Sequence, residues 1–464
     1  MADCALRNRI KQLAAKLQNA EETTETLTSA HVFPTVFEIN PNQNVSTFLR
    51  QPYRSDLSKE ANLTGIIEST LSFEAELKGT GSAGTEPNYS HFLIGCGFMS
   101  VKLVELTVSA ASGTLALGEL LTDSVGNTYY LFHLLRNATK VVAYRYSLNM
   151  PGTLGAPISI AGSGSGSYAA TIDSINENYG WGFKPQSKTA RIVPLGAITG
   201  TFLQGELVTG TGVSGIVLYV EGSNKNLWYI PLTGVIGNTV ALTGQVSNAT
   251  GTTTAASGCS QSSPPLTFYV NEDGVQRIFG GARGRVNFNF NAVGEPARMQ
   301  FEFQGPGAVN PTDTPAFAEG TDSVIPPKFQ GAAIQLGDPT SSPFLPVMAG
   351  MNVQVDNTLT SRQDATAASG LRSTLIVDRD FSGQMNPEAV SVGTYPFLAR
   401  LFSDTLTRSY FQVGSSNGNI VELIGERMQF TNVQNGNRDE ILINDVSFRF
   451  VRTIGDDEFQ IVVR

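Results

Sequence analysis

The chain carries its most informative sequence pattern twice. The stretch from Ser69 reads STLSFEAELKGTGSAGTEPNYSHFL, and the stretch from Ser373 reads STLIVDRDFSGQMNPEAVSVGTYPFL. In both, a strand-like run leads to a short piece with a tyrosine, a phenylalanine and a leucine, which predicts one short helix. A repeat of this length predicts two similar folded units within one polypeptide, spanning at least residues 54–98 and 362–404.

Both copies continue with two predicted hairpins, in residues 266–305 and 408–450. In the first copy, Val286, Phe288 and Phe290 alternate with asparagines, as in a strand with one apolar and one polar face. The turn of the last hairpin is predicted at Gly294–Pro296 in the first copy and at Asn435–Gly436 in the second. Each copy is therefore expected to be a β unit with an apolar interior, a polar outer face and one helix.

A shorter repeat lies inside the first copy. SGTLALGELLTD at residues 112–123 matches TGTFLQGELVTG at residues 199–210, so that Glu119 corresponds to Glu206. The repeat predicts two small β modules inserted into a surface loop, where an insertion costs little entropy. The composition agrees with a mainly β fold, because 47 glycines and only 15% charged residues are typical of strands joined by many turns.

These repeats divide the chain into predicted domains. The first unit comprises residues 1–104 and 262–307, the two inserted modules residues 105–190 and 191–261, a linker residues 308–345, and the second unit residues 346–464. Leu6, Ile10, Leu13 and Leu17 recur at the spacing of one helix face, which predicts an N-terminal helix that acts as an arm or a cap.

Charge and cysteine content narrow the possible functions. The net charge of -9 disfavours wrapping around nucleic acid, which needs a basic surface. Cys4, Cys96 and Cys259 are too few and too scattered for a disulfide framework or a zinc site. No signal peptide and no membrane-spanning run is predicted, so we expect folding in the cytoplasm.

The segment Gly79–Gly84 matches the GxGxxG pattern of dinucleotide-binding enzymes. That function requires a strand buried on both faces and a helix that receives the pyrophosphate. Here Glu74 and Glu76 give the preceding strand a polar face, and only a short apolar piece follows the loop. We therefore interpret the loop as a flexible connection rather than a cofactor site.

Candidate catalytic residues are sparse. His31, His91 and His133 lie in no metal or triad motif. Asp378 and Asp380 share one strand face, which favours an ion-pair network over acid–base catalysis, and residues 456–458 lack the spacing of a calcium loop. The sequence predicts no enzyme activity, no cofactor and no metal.

Taken together, these segments resemble the tail tube proteins of tailed bacteriophages. The likeness rests on residues 69–98, on GARGRVNFNFNAVGEPARMQFEFQG at 281–305, on VDNTLTSRQDATAASGLRSTLIVDRDFSGQMNPEAV at 355–390 and on the closing GDDEFQIVV. It covers about residues 30–100 and 265–464, and it departs from the simple family pattern at the two inserted modules. The resemblance implies two tube units of β-sandwich or barrel type.

In that family, six tube domains form a ring whose inner strands close into a barrel, and rings stack around a tape measure protein. The resemblance implies a virion tail protein assembled in the host cytoplasm, with tail terminator and distal tail proteins as further partners. DNA would pass through the lumen without specific binding, and no membrane insertion is expected. Because this chain carries two units, we expect three chains to complete a pseudo-sixfold ring.

The polar strand faces supply candidates for the lumen wall. Glu74, Glu76, Asn287, Asn289 and Glu302 either line this wall or face solvent or the adjacent ring. The inserted modules are expected on the outside of the tube, where they bind host glycans weakly or stabilise contacts between rings. The alternative function is a non-polymerising β-rich adhesin or carbohydrate-binding protein.

Overall fold

The computed structural model describes residues 7, 10–21, 23–53, 58–133, 139–148, 158–164, 166–220, 226–259, 263–307, 311–338 and 342–464. Its fold is mainly β, as predicted, and Cys4 and Leu6 lie outside the described residues. The α-helices within these residues are α1 (Ser90–Gly95) and α2 (Phe397–Phe402). The strands are β1 Lys11–Leu17, β2 Val36–Phe48, β3 Leu63–Glu76, β4 Phe98–Ser112, β5 Leu120–Asp123, β6 Thr128–Leu131, β7 Lys140–Ser147, β8 Ile158–Gly162, β9 Ala169–Pro185, β10 Arg191–Thr199, β11 Leu207–Gly210, β12 Val213–Val220, β13 Asn226–Thr233, β14 Ala241–Gly244, β15 Thr250–Thr253, β16 Gly258–Cys259, β17 Leu266–Glu272, β18 Val275–Phe290, β19 Arg298–Pro306, β20 Thr312–Asp313, β21 Ala333–Leu336, β22 Met348–Gln363, β23 Leu371–Pro387, β24 Thr407–Val413, β25 Val421–Arg438, β26 Ile441–Phe450 and β27 Gln460–Val463.

Unit 1 contains α1 and the antiparallel strand order β1-β17-β18-β19-β3-β2. Its central strand, β18, belongs to two layers. The half before Arg283 pairs with β17, and the half from Arg283 onward pairs with β19. Gly281, which has φ +67°, lies at the junction, where the left-handed conformation suits glycine. The short strand β20 pairs with the start of β18.

Unit 2 contains α2 and repeats this order strand for strand as β21-β24-β25-β26-β23-β22. Its central strand β25 pairs first with β24 and, from Met428 onward, with β26. The strand that follows the last hairpin, β27, pairs with the start of β25, as β20 does with β18. Both units therefore share one pattern of strand pairing.

The two units join in a single sheet. The C-terminal half of β18 pairs with β22, from Val286 opposite Val355 to Phe290 opposite Met351. The resulting strand order is β2-β3-β19-β18-β22-β23-β26-β25, with one apolar and one polar face. The apolar face is buried and includes Phe73, Met299, Phe301, Val286, Phe288, Val353, Val355, Phe381, Met385, Val446 and Phe448.

A second layer covers the apolar face and carries the insertion. It includes β24, the start of β25, β27, and the adjoining ends of β9 and β4. The ring centroids of Phe459, beside this layer, and Phe288 are 5.7 Å apart. Those of Phe98 and Phe381 are 6.2 Å apart. Aromatic packing therefore fixes the second layer on the side opposite the polar face.

The insertion forms two closed barrels with the same connectivity. Barrel 1 closes as β4-β7-β6-β5-β8-β9-β4, and barrel 2 closes as β10-β13-β12-β11-β14-β15-β10. Each encloses its own apolar cluster, around Leu106 and Tyr129 in barrel 1 and around Val208 and Tyr229 in barrel 2. Closure leaves no open sheet edge among the described strands of either barrel.

The repeated Gly-Glu pair has the same structural role in both barrels. Glu119 accepts hydrogen bonds from the backbone N–H groups of Ala116 and Gly164. Glu206 accepts from Leu203, Val246 and Ser247. Each buried carboxylate thus ties the turn before it to the turn between the last two barrel strands. Because each carboxylate is buried and ionic hydrogen bonds are stronger than neutral ones, losing the carboxylate would remove the acceptor that joins the two turns.

Two local predictions were wrong. The predicted N-terminal helix is the strand β1, because residues 12–17 are buried in antiparallel pairing with β17, and this tertiary pairing overrides the leucine spacing. Asn435–Gly436 lies inside β25, and the turn falls at Asp439 and Glu440. Both turn residues have positive φ, 50° and 67°. A two-residue hairpin turn requires this when its twist matches that of the flanking strands.

Barrel 2 lies against α1. The His91 ring on α1 meets the Tyr219 ring of barrel 2 edge-on, with 6.3 Å between centroids. Burial, with smaller contributions from the charges of His31 and Lys16, lowers the pKa of His91 to about 4. The neutral imidazole of His91 therefore forms part of the contact between unit 1 and barrel 2.

Replacing Glu206 with alanine is expected to destabilise barrel 2 by about 3 kcal/mol, because it removes a buried carboxylate that accepts from three backbone N–H groups. Hydrogen exchange should show faster exchange of the amides of Val246 and Ser247 and of the barrel 2 strands. Glu295→Ala, which removes an exposed carboxylate, is the control. Unchanged exchange in barrel 2 would contradict the role assigned to Glu206.

Acid should weaken the fold through His91. The His91 imidazole takes up a proton near pH 6.5 in the unfolded chain and only near pH 4 in the folded chain. The contribution of neutral His91 to the free energy of unfolding is therefore complete above about pH 6.5 and falls as the pH drops. The expected loss is about 2 kcal/mol at pH 5. His91→Phe should show a correspondingly smaller drop in melting temperature between pH 7.5 and pH 5. An equal drop in both proteins would refute the assignment.

Candidate assembly interface and polar face

Four of the five predicted lumen residues lie together on the polar face of the joined sheet. Asn287 is opposite Gln300, which is opposite Glu74 on the next strand. Asn289 is opposite Arg298, and Glu302 is opposite Ser72. The period-two alternation of β3, β18 and β19 therefore brings these side chains to one surface.

Glu76 is at the end of this face and is largely covered. Its carboxylate lies 2.7 Å from the Nζ of Lys78, which is also 3.1 Å from a carboxylate oxygen of Asp322. Lys78 donates a further hydrogen bond to the carbonyl of Val324. Lys78, which is paired with Glu76, thus holds part of the linker against the sheet, and the Glu76 side chain is only 15% exposed.

Arginines that the sequence interpretation missed neutralise the acidic residues of this face. Arg298 pairs with Glu74 at 2.8 Å, and Arg285 pairs with Glu302 at 2.8 Å and with Asp356 at 3.3 Å. The same alternation that selected Glu302 and Asn287 would have selected these arginines. Exposed pairs of this kind contribute little stability. Their consequence is a polar surface on which both arginines are paired with carboxylates.

Unit 2 extends the polar face beyond β18. Asn289 faces Asn352 on β22, and Asn352 faces Gln384 on β23. Farther along, Gln384 faces Ser447 on β26. Asn352, Gln384 and Ser447 line a groove of about 490 Å³ whose walls are mostly amides and hydroxyls. The face is therefore polar from one unit to the other.

The joint between the units is secured by a buried amide. Asn357 of β22 donates hydrogen bonds to the carbonyl of Cys96, at 2.8 Å, and to that of Gly284, at 2.7 Å. Its side chain thereby connects unit 2 to the end of α1 and to β18 of unit 1. Burial raises the pKa of the Cys96 thiol, so the thiol stays protonated and acts as a core residue.

A buried arginine completes the joint. Arg283 is fully buried, and its guanidinium donates to the carbonyl of Thr374 in β23 at 2.7 Å. It also donates to the carbonyl of Ser263 and to the carboxylate of Glu21, at 2.5 Å. The positive charge is thus paired, and each of the three guanidinium nitrogens donates at least one hydrogen bond, as a buried charge requires.

The two outermost strands of the joined sheet have open edges. Within the described ranges, β2 pairs only with β3, and the half of β25 from Gln429 onward pairs only with β26. Open edges present unpaired backbone donors and acceptors, which makes them sites for association with another chain. In unit 1, the equivalent edge of β18 is already occupied by β22.

The Gly79–Gly84 loop is a packing element. The N–H of Gly81 donates to the carbonyl of Gly418, and the N–H of Gly79 donates to the side chain of Asn419. A Cβ on Gly79 would lie 2.0 Å from the Gly418 carbonyl oxygen. The loop thus approaches the backbone of unit 2, and these contacts occupy the groups that a phosphate would need.

The acidic clusters form ion pairs. Arg379 lies 3.1 Å from Asp456 and 3.4 Å from Glu458, while Asp380 pairs with Arg449. Asp457 is buried and accepts hydrogen bonds from the backbone N–H groups of residues 453–455, so its carboxylate closes a turn. Among the residues that the structure describes, no group of histidine, cysteine and carboxylate side chains could hold a metal ion.

Comparison with known proteins gives no family for the chain. No protein-family model matches it, and no curated protein matches its sequence. In the described part of the chain, neither helix has the length or the apolar character to cross a membrane.

Proposed function

We propose that this chain is a structural protein that assembles into stacked rings and forms the tail tube of a tailed bacteriophage. The observation that carries the proposal is the joint between β18 and β22, because it pairs two edges whose counterparts remain open at the ends of the same sheet. Unit 1 offers β2 at one end, and unit 2 offers β25 at the other.

Repetition of this joint between chains would remove the open edges. The edge of β25 would pair with β2 of the next chain, as β18 pairs with β22. Such a contact is heterologous, so it continues from chain to chain until a ring closes. Three chains with two units each would give a pseudo-sixfold ring, in keeping with the sixfold rings of the family that the sequence resembles.

The charge of the polar face supports its role as a channel wall. Arg285 and Arg298 are paired with carboxylates of the same face. A wall rich in free arginine or lysine would bind DNA phosphates strongly and in a salt-dependent manner. A polar wall with paired charges would let DNA pass, with Glu74, Asn287, Asn289 and Glu302 among its residues.

The two barrels would decorate the outside of the tube. Barrel 2 lies against α1, whose Phe92 packs on Phe301 of the apolar face. Barrel 1 connects to the sheet through β4 and β9, which belong to the second layer. That layer covers the apolar face, opposite the proposed channel wall. The barrels can therefore vary without narrowing the channel.

The purified chain is expected to form rings that stack into hollow tubes visible by negative-stain electron microscopy. Native mass spectrometry of rings before they stack should give a mass of three chains. Rings of six full-length chains would overturn the trimer, and globules that never associate at high concentration would favour the alternative of an adhesin or a carbohydrate-binding protein.

Cysteine cross-linking can test the ring joint. Asn287 faces Gln354 in the joint, and the corresponding positions in the open edges are Asn432 and Asn40. Directly opposed residues of antiparallel strands are close enough for a disulfide. The double variant Asn40→Cys, Asn432→Cys should yield covalent trimers on oxidation.

The matched control is Asn44→Cys with Asn432→Cys, which moves one cysteine out of register along β2. It should cross-link far less. Equal yields from both pairs would argue against the proposed strand pairing, whatever the oligomer size.

A further inference from the structure

The hairpin of β22 and β23 supplies the template for a contact between chains. Besides pairing with β18 through β22, this hairpin contacts other parts of unit 1. Asn357 binds the carbonyls of Cys96 and Gly284, and the carbonyl of Thr374 accepts from Arg283. The end of α1 and the middle of β18 are therefore covered by unit 2 of the same chain.

Strand register identifies the equivalent positions in unit 2. Gly284 is opposite Phe303 in unit 1, and Met428 is opposite Phe450 in unit 2. The preceding residues, Arg283 and Arg427, are therefore equivalent. The local sequences agree, because Gly-Ala-Arg at 281–283 corresponds to Gly-Glu-Arg at 425–427.

Register also identifies the equivalent of Asn357. Met299 and Val446 are equivalent, because each lies four residues before the aligned pair Phe303 and Phe450. Met299 faces Ala75 in β3, and Val446 faces Met385 in β23, so Ala75 and Met385 are equivalent as well. On that alignment, Gln43 opposite Ser69 corresponds to Asn357 opposite Arg379. Both positions carry a side-chain amide.

The equivalent surfaces differ in burial. Arg283 is fully buried, whereas Arg427 is exposed. Five of the six residues of α1 are buried, but only Phe397 of α2 is. As a result, unit 2 presents Phe402, which is 80% exposed. Solvent-exposed aromatic residues beside an open strand edge are typical of an interaction surface.

The β2–β3 hairpin presents the complementary exposed apolar residues. Phe48 is 61% exposed, Leu63 54% and Val45 46%. Val45 faces Ile67 across this hairpin, as Leu359 faces Ile376 across the β22–β23 hairpin. Ile376 comes close to Gly97 at the end of α1. The β2–β3 hairpin, whose β2 strand has an open edge, therefore carries apolar residues like those that cover unit 1.

We infer that the β2–β3 hairpin of a second copy of this chain docks over α2 and β25, in the way that the β22–β23 hairpin docks over α1 and β18. In this contact, Arg427 donates to a backbone carbonyl of the incoming hairpin, and the Gln43 amide of the incoming chain donates to the carbonyl of Met428. Phe402 packs against the apolar side chains of the hairpin. The inference deepens the proposed function and rests on the same self-association.

The pair Arg283 and Arg427 provides a sharp test. Arg427→Ala is expected to leave the melting temperature of the unassembled chain unchanged, because the side chain is exposed. It should weaken self-association at least tenfold in sedimentation velocity measured over a range of concentrations, and Arg427→Glu should weaken it further. Arg283→Ala is expected to lower the melting temperature, because it opens the joint inside the chain.

Lys188→Ala, which removes an exposed cation near the barrels, is the control and should associate like the wild type. Gln43→Ala should weaken association without lowering the melting temperature. Wild-type association by Arg427→Ala and Arg427→Glu would overturn the inference even if tubes form. Specific trimers that depend on Arg427 but never stack would uphold the inference and overturn the tube. A wild-type chain that stays monomeric at every concentration would overturn both.

Discussion

Strand pairing between β18 and β22 is the interaction on which the rest of the architecture depends. Without it, the polar face would be divided into two smaller sheets and each unit would have its own open edges. With it, Asn357 and Arg283 become buried between the units, and both must find hydrogen-bond partners there. The joint is therefore specific, because a shift in register would leave an amide and a charge without partners.

The two units have the same pattern of strand pairing, but their equivalent surfaces differ in burial because their neighbours differ. In unit 1, α1 is enclosed by β1, β4, barrel 2 and the hairpin of unit 2. In unit 2, α2 contacts mainly β25. The difference follows from chain order, since unit 1 receives the insertion and also has a unit after it in the same chain. Divergence of the two units is thus a geometric result of placing them in tandem.

Sequence reasoning predicted those features that depend on periodicity. Alternation placed Glu74, Asn287 and Glu302 on one face, and the repeats predicted a mainly β chain with two short helices. It was wrong about β1, because leucine spacing cannot reveal that Lys11–Leu17 will pair with a strand some 250 residues later in the chain. It also missed the pairing of Arg285 with Asp356, because that contact exists only where the units meet.

The glycines show most clearly why the local sequence was insufficient to predict the role of a residue. Gly79 lies in a GxGxxG pattern, yet its lack of a side chain is required by the backbone of Gly418 in the other unit. Gly162 and Gly244 each lie beside a buried glutamate, where a Cβ would fall within 2.5 Å of a carboxylate oxygen. In all three cases, the constraint comes from residues distant in sequence. A pattern that elsewhere accommodates phosphate here accommodates a second stretch of the same polypeptide, and only the pairing of the two units distinguishes these uses.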